Sequence, residues 1–462
     1  MKNTATNLSS AAGNGNRKRL PKAERIAISL YKRTLNRKRF GRFLRILGPG
    51  LVTGAADDDP SGIATYSQAG AMNGFGLLWA FPLMYPLLLG VQESCSRIGA
   101  VTGKGLAAVI KEYYGRRILL FAVLLVVSAN AVNIGADLGA MAEATRLFVD
   151  LPQIFLAVLY AAIVVLLVVF VNYRTYARIL KWLALSLLAY PLTAFMAGLD
   201  WAQVLRSTFL SVPRLDAETM YILVGIIGTT VSPYLFFWDT SEVVEEEIAK
   251  HNRASIGRDP KPTARFLRNL RIDNLVGMTA ANLTAWFIVV ACASTLHLAG
   301  VTEIGTAAEA ARALEPMVDG FPHAGLVAKL VFSIGIVGTG LLAVPVLAGS
   351  SSYAISEAFG WKEGLSRKFR NARGFYAVIA VATFVGLALN LFGVDPIKAL
   401  VFTAVFNGIA AVPLLFLIVR IGNDAAIMGD YRNGRWSNLS VRLAAATMTV
   451  AVIGLFVSML VR

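Results

Sequence analysis

The chain repeatedly runs through stretches approaching 20 residues with no charged side chain, and this restricts its fold more than any other feature. Phe155 to Val171 and Leu443 to Val461 are two of them. In hydrocarbon no water satisfies backbone N–H and C=O groups, so such a stretch must close its hydrogen bonds within itself as a helix. Only 16% of the residues are charged, against about a quarter in soluble domains. The fold class is therefore an all-α integral membrane protein. Apolar runs between polar breaks place spans at 44–72, 75–100, 117–145, 153–172, 176–199, 219–244, 272–299, 325–356, 374–393, 396–420 and 439–461. That gives about eleven transmembrane helices in contact with the lipid bilayer.

The net charge of +16 is concentrated at one end. Residues 1–45 hold thirteen Lys and Arg against one acid, Glu24, and the arm 1–42 has the low-complexity composition of disordered chain. A basic arm beside a span suits anionic lipid on the cytoplasmic face, and a nucleic-acid partner is not expected. No apolar core follows the first charges as a signal peptide requires. Basic residues recur in alternate loops: Lys104 to Arg117, Arg174 with Arg178, Lys250 to Arg271, Lys362 to Arg373, and Arg432 with Arg435. The opposite loops are short or acid-balanced, as at Glu303, Glu309, Glu315 and Asp319. The positive-inside rule then puts the N-terminus in the cytoplasm, and an odd number of spans puts the C-terminus outside a multi-pass plasma-membrane protein. Cys95 and Cys292 stand far apart in apolar runs as small core residues, and His251, His297 and His323 form no zinc-type cluster.

Two spans carry internal breaks, Gly54 to Gly62 in the first and Gly228 to Tyr234 in the sixth, each containing a proline. Proline removes a donor and clashes with the preceding turn, so backbone carbonyls are freed there. The breaks lie five spans apart, an odd number, so the second half enters the membrane from the opposite side. That is the pattern of an inverted-repeat transporter with its site near the bilayer midplane. Residues 43–200 and 219–421 form the two halves, and 439–461 is an added helix. Asp57, Asp58 and Asp59 lie in the first break, where a carboxylate needs pairing, water or a cation. Asp59, beside Pro60, is the strongest candidate; Asp57 and Asp58 are weaker ones, whose alternative is a solvated vestibule with no ligand role. Glu93 either pairs with Arg97 one turn on or serves transport; Asp137 either lines the ion path or pairs with an arginine. Asp239 and Glu242 follow the sixth-span break on one face, and Asn407 suits a helix-packing hydrogen bond more than a ligand role. The donors at the breaks are carboxylates, carbonyls near Ala56 and Thr229, and the hydroxyls of Ser61, Thr230 and Ser232, a set that suits hard divalent cations.

Gly48-Pro49-Gly50 followed by Asp59-Pro60-Ser61-Gly62, together with Gln92 to Lys104 and Gly228 to Tyr234, resembles the signature of the NRAMP divalent-metal transporters over about residues 43–440. The resemblance implies the LeuT-type fold of two inverted repeats, about five helices each. It also implies that Ala56 and Thr229 offer backbone carbonyls to the ion. The departures are specific. The family's asparagine ligand is Gly62 here and its sulfur ligand is Ser232. Its helix-six histidines fall on Tyr234 and Asp239, and the second acid of helix three is Ala140. This pattern is similar to the NRAMP-related magnesium transporters, which move hydrated Mg²⁺ and Mn²⁺ without protons.

The expected function is passive transport of Mg²⁺, with Mn²⁺ accepted, by alternating access in a monomer. Asp59 is the principal ligand. Ala56, Thr229, Ser232 and Gly62 complete a wide pocket, and Asp58, Asp137 and Asp239 add negative field. The ion is cargo, and no cofactor is expected. The rivals are a proton-coupled Mn²⁺/Fe²⁺ importer, an organic-solute transporter disfavoured by three aspartates at the break, and an intramembrane aspartyl protease, whose Gly-x-Gly-Asp motif is missing. An enzyme is thus not expected.

Overall fold

The computed structural model describes residues 49–171, 184–211, 216–249, 262–318 and 323–460. The basic residues 1–45, Gly48, Arg174, Arg178, the stretch 250–261 and Asp319 lie outside the described residues. Every regular element among the described residues is helical.

The first expected span is two helices, α1 (Pro49–Asp57) and α2 (Pro60–Asn73), parted at Asp58 and Asp59. The cause is local. Pro60 takes the first helical position, where its missing N–H costs nothing, and Asp59 is extended (φ −71°, ψ 171°) and accepts the Gly62 N–H as the cap. At 9 and 14 residues the two helices reach about 14 and 21 Å, so neither crosses the membrane alone. A short turn, Gly74–Leu77, leads into α3 (Ala80–Thr102), which is bent 113° from the segment before it. Next come α4 (Leu106–Tyr113), α5 (Arg116–Arg146), α6 (Gln153–Phe170), α7 (Ala189–Met196) and α8 (Trp201–Leu210).

The sixth span is α9 (Ala217–Thr230) and α10 (Pro233–Ala249), with only Val231 and Ser232 between them. Both gaps are narrower than the Gly54–Gly62 and Gly228–Tyr234 stretches suggest, because each proline opens a new helix directly. The chain continues through α11 (Ala264–Cys292), a π turn at Ala293–His297, α12 (Ala307–Arg312), α13 (Ala324–Phe359), α14 (Arg373–Leu389), α15 (Pro396–Asn423) and α16 (Arg435–Leu460). α11 begins earlier than the expected residue 272. The Thr263 side chain accepts the Phe266 N–H and caps it, so Arg265, Arg268 and Arg271 ride on its first turns rather than in a loop.

Among the described residues, eight helices are long and apolar enough to cross a membrane, or up to 10 if each of two bent pairs is one span. The chain is a multi-pass membrane protein. The most apolar window of the α9–α10 span is 94% buried and those of α6 and α16 only 28%, which puts the broken sixth span in the bundle centre and those two helices at its edge. Phe170 and Leu460 on these edge helices are exposed, as lipid contact requires. α2 packs against α9, α11 and α15, while α5 packs against α13, α14 and α15. Backbones touch where Gly54 meets Gly277 of α11 and where Gly228 meets Ala404 and Gly408 of α15.

Candidate cation site

The gap between α1 and α2 faces the gap between α9 and α10. Asp57, Asp58 and Asp59 are 2%, 5% and 1% exposed, so all three carboxyls are withdrawn from the surface. Asp59 is the most constrained of them. Its Oδ1 accepts from Ser61 Oγ and from Gly62 N, both at 2.7 Å. Its Oδ2 accepts from Asn133 Nδ2 of α5 at 2.9 Å. Gly62 leaves no side chain over this carboxylate: a Cβ there would meet Thr229 Oγ1 at 3.0 Å and Asp59 Oδ1 at 3.4 Å.

The carbonyls expected as ligands carry hydroxyl caps. Tyr234 OH donates to Ala56 O at 3.0 Å, and Ser232 Oγ donates to Thr229 O at 2.6 Å and Gly228 O at 2.9 Å. Thr230 Oγ1 likewise donates to Ile226 O at 2.7 Å and lies 3.1 Å from Tyr66 OH. A carbonyl has two lone pairs, so each capped oxygen keeps one acceptor position, and each hydroxyl keeps its own oxygen as a donor atom toward a cation. Sequence reasoning placed these residues together but missed the caps, which depend on which hydroxyl faces which carbonyl across the gap.

Asp137 joins the same network, and among the described residues it pairs with no arginine. Asn133 Nδ2 donates to Asp137 Oδ2 at 3.1 Å, and Asn407 Nδ2 of α15 donates to Asn133 Oδ1 at 3.1 Å. Asn133 stands one helical turn before Asp137 and therefore on the same face, a signal the sequence carries though it is not among the expected site residues. Three buried acceptors here, Asp57 Oδ1, Asp137 Oδ1 and Asn407 Oδ1, have no hydrogen-bond donor among the described residues. Buried acceptors of this kind are costly unless water or a cation satisfies them.

Asp239 belongs to a different cluster. It lies on α10 and accepts a hydrogen bond from Ser96 Oγ of α3, which in turn receives Asn274 Nδ2 of α11 at 2.7 Å. The neighbouring Asp273 accepts the Gly50 N–H at 2.8 Å, so this junction ties α1, α3, α10 and α11 together. Glu93 pairs with Arg97 at 2.6 Å and with Arg271 at 3.4 Å, the structural alternative of its two readings. Among the described residues, no three of His, Cys, Asp and Glu converge as a metal-holding group. What the breaks can offer a cation is the Asp59 carboxylate with the carbonyls and hydroxyls around it.

Two broken helices at the centre of a multi-pass bundle, with carboxylate and freed carbonyls facing each other across the gaps, define a transporter of the LeuT type. The comparisons agree. The chain belongs to the family of natural resistance-associated macrophage protein-like (Nramp) proteins, whose model matches residues 50–458. The divalent metal cation transporter MntH of Ralstonia nicotianae is 28% identical, covering 89% of this chain and 90% of that protein. MntH of Klebsiella pneumoniae is 26% identical over 89% and 92%. Among solved structures, the manganese transporter of Eremococcus coleocola superposes with a TM-score of 0.71 at 16% identity over 91% of this chain and 87% of that one. MhsT, solved with L-phenylalanine, gives a TM-score of 0.60 at 14% identity over 88% and 98%. Both establish the fold.

Proposed function

We propose that the protein carries Mg²⁺, and also Mn²⁺, across the plasma membrane by alternating access and without proton coupling. The observation that carries this reading is the chemistry of the break segments, which offer oxygen donors, three of the nearby acceptors without donors, and neither sulfur nor imidazole. An ion that keeps part of its water shell brings O–H donors with it, and those are what unpaired acceptors need. Mg²⁺ dehydrates reluctantly and is held through one or two carboxylates plus water, which fits Asp59 with the remaining lone pairs of Ala56 O, Thr229 O and Ser232 Oγ. Gly62 puts no side chain between Asp59 and Thr229. Asp58 and Asp137 add negative field at the site, and Asp239 adds it along the path beyond.

The ion is substrate rather than a resident cofactor. The working unit is a monomer with its N-terminus cytoplasmic and its C-terminus external. The protease rival has no support among relatives named as transporters. A proton-coupled Mn²⁺ importer is the second reading, favoured by relatives named for divalent cations and by the fold match to a manganese transporter.

Flux in proteoliposomes separates the two readings, with Mg²⁺- and Mn²⁺-sensitive dyes inside and a pH dye in parallel. Entry of Mg²⁺ without acidification is the expected result. Mn²⁺ entry with proton movement and no Mg²⁺ entry would overturn the proposal. Ser232→Met probes the same point from the ligand side. A thioether prefers softer ions, so the Mn²⁺ to Mg²⁺ rate ratio under competition rises by about tenfold or more. An unchanged ratio would place selection elsewhere.

A further inference from the structure

We propose that Asn133 is a positioning residue for the cation path: its carboxamide holds Asp59 and Asp137 at a fixed mutual distance, and Asn407 fixes the direction in which that carboxamide faces. The inference rests on the location of the site at Asp59 but not on which ion is carried.

The geometry leaves the amide little choice. Nδ2 of Asn133 lies 2.9 Å from Asp59 Oδ2 and 3.1 Å from Asp137 Oδ2. A planar amide has two N–H bonds, and here one goes to each carboxylate. The reversed amide would set its carbonyl oxygen against two carboxylates, three acceptors with no proton between them. Asn407 removes the remaining freedom, because its Nδ2 donates to Asn133 Oδ1 at 3.1 Å and so requires an oxygen there. Asn133, Asp137 and Asn407 are 0%, 0% and 1% exposed, so bulk water does not compete for these bonds.

The consequence is a fixed pair of carboxylates. Asp59 sits on the α1–α2 break and Asp137 on the continuous helix α5, and like charges in a low-dielectric interior drive apart. One nitrogen bonded to both keeps the two Oδ2 atoms within the sum of its two bond lengths. It also spends the Oδ2 of Asp137, and among the described residues neither that residue's Oδ1 nor Oδ1 of Asn407 has a donor. The amide thus decides which oxygens remain available as acceptors beside the break. Asn407 acts only through Asn133, and this sets it apart from an ordinary packing contact.

A double-mutant cycle on the full chain tests this. Initial fluxes of Mg²⁺ and of Mn²⁺ are measured in proteoliposomes for wild type, Asn133→Ala, Asn407→Ala and the double variant, with thermal unfolding in detergent as the folding control. KM for the transported ion rises about tenfold in Asn133→Ala, the size expected when a buried hydrogen bond to a charged group is lost. The rise in Asn407→Ala is smaller, and the double variant is no worse than Asn133→Ala alone. The ratio of Mg²⁺ to Mn²⁺ rates moves together with KM in both single variants, which a loss of folded protein would not produce. Additive effects, or an unchanged KM in Asn133→Ala protein that is folded, overturn the proposal. If Asn133→Ala does not fold, an unchanged KM and ion ratio in Asn407→Ala overturns it. The cycle is read with whichever ion the wild type carries, so a failed Mg²⁺ reading and a failed Asn133 role give different results.

Discussion

Asp59→Ala lowers the initial rate of metal entry into proteoliposomes by about a hundredfold or more. The carboxylate is the one charged group ordered at the break by three donors, Ser61, Gly62 and Asn133. Removing the charged partner from a buried ionic contact costs about 3–5 kcal/mol. Each 1.4 kcal/mol is a factor of ten. The same side chain caps α2, so alanine also removes about 1 kcal/mol of helix stability, which mixes two causes. Asp59→Asn separates them. Asparagine caps a helix as well as aspartate does but turns its Nδ2 toward the Asn133 Nδ2, so that variant keeps the cap, gives up one hydrogen bond and still fails to transport. Flux in Asp59→Asn above half the wild-type rate would mean that the charge at this position is not the ligand.

Gly228→Val destabilises the protein by about 3 kcal/mol, or prevents recovery of monodisperse protein in detergent. Gly228 lies in the last turn of α9 before the α9–α10 break and directly against α15. A Cβ there would collide with Ala404 O and approach Gly408 Cα to 2.6 Å. These are backbone atoms of a packed helix and cannot swing aside as a side-chain tip does, so the helices must separate. Overpacking of this kind costs about 1–3 kcal/mol, and more where neither partner can relax. Gly434→Ala is the control. Nothing lies within 4 Å of the position its Cβ would take, and the change is expected within about 0.5 kcal/mol of neutral. Thermal unfolding in detergent measures both. Equal stability of the two variants would mean that α9 and α15 do not pack as described.

The particular residues show why parts of this were legible. Proline acts on its own neighbours, so Pro60 and Pro233 reveal both breaks without any tertiary information. Charge marks water but does not end a helix, which is why Arg265, Arg268 and Arg271 were read as loop although a capped helix carries them. The candidate ligands were legible singly and not as a set. Asp239 sits just beyond the sixth-span break in sequence, yet it turns to Ser96 and away from Asp59. Asn133 shares a helix face with Asp137, but its value comes from Asp59 and Asn407, 74 and 274 residues distant.

What the sequence determined by itself was therefore everything governed by local chemistry and by solvent: the helical class, the membrane as environment, the two broken spans and the acidic break. A long uncharged run in hydrocarbon has one way to satisfy its backbone, and a proline has one effect on its own turn. Only the tertiary structure decided which hydroxyl caps which carbonyl, which acceptors are left over, and which acids share a site. Those depend on how α2, α5, α9, α10 and α15 face one another, and hydrogen bonds form or fail over tenths of an ångström that no spacing along the chain encodes.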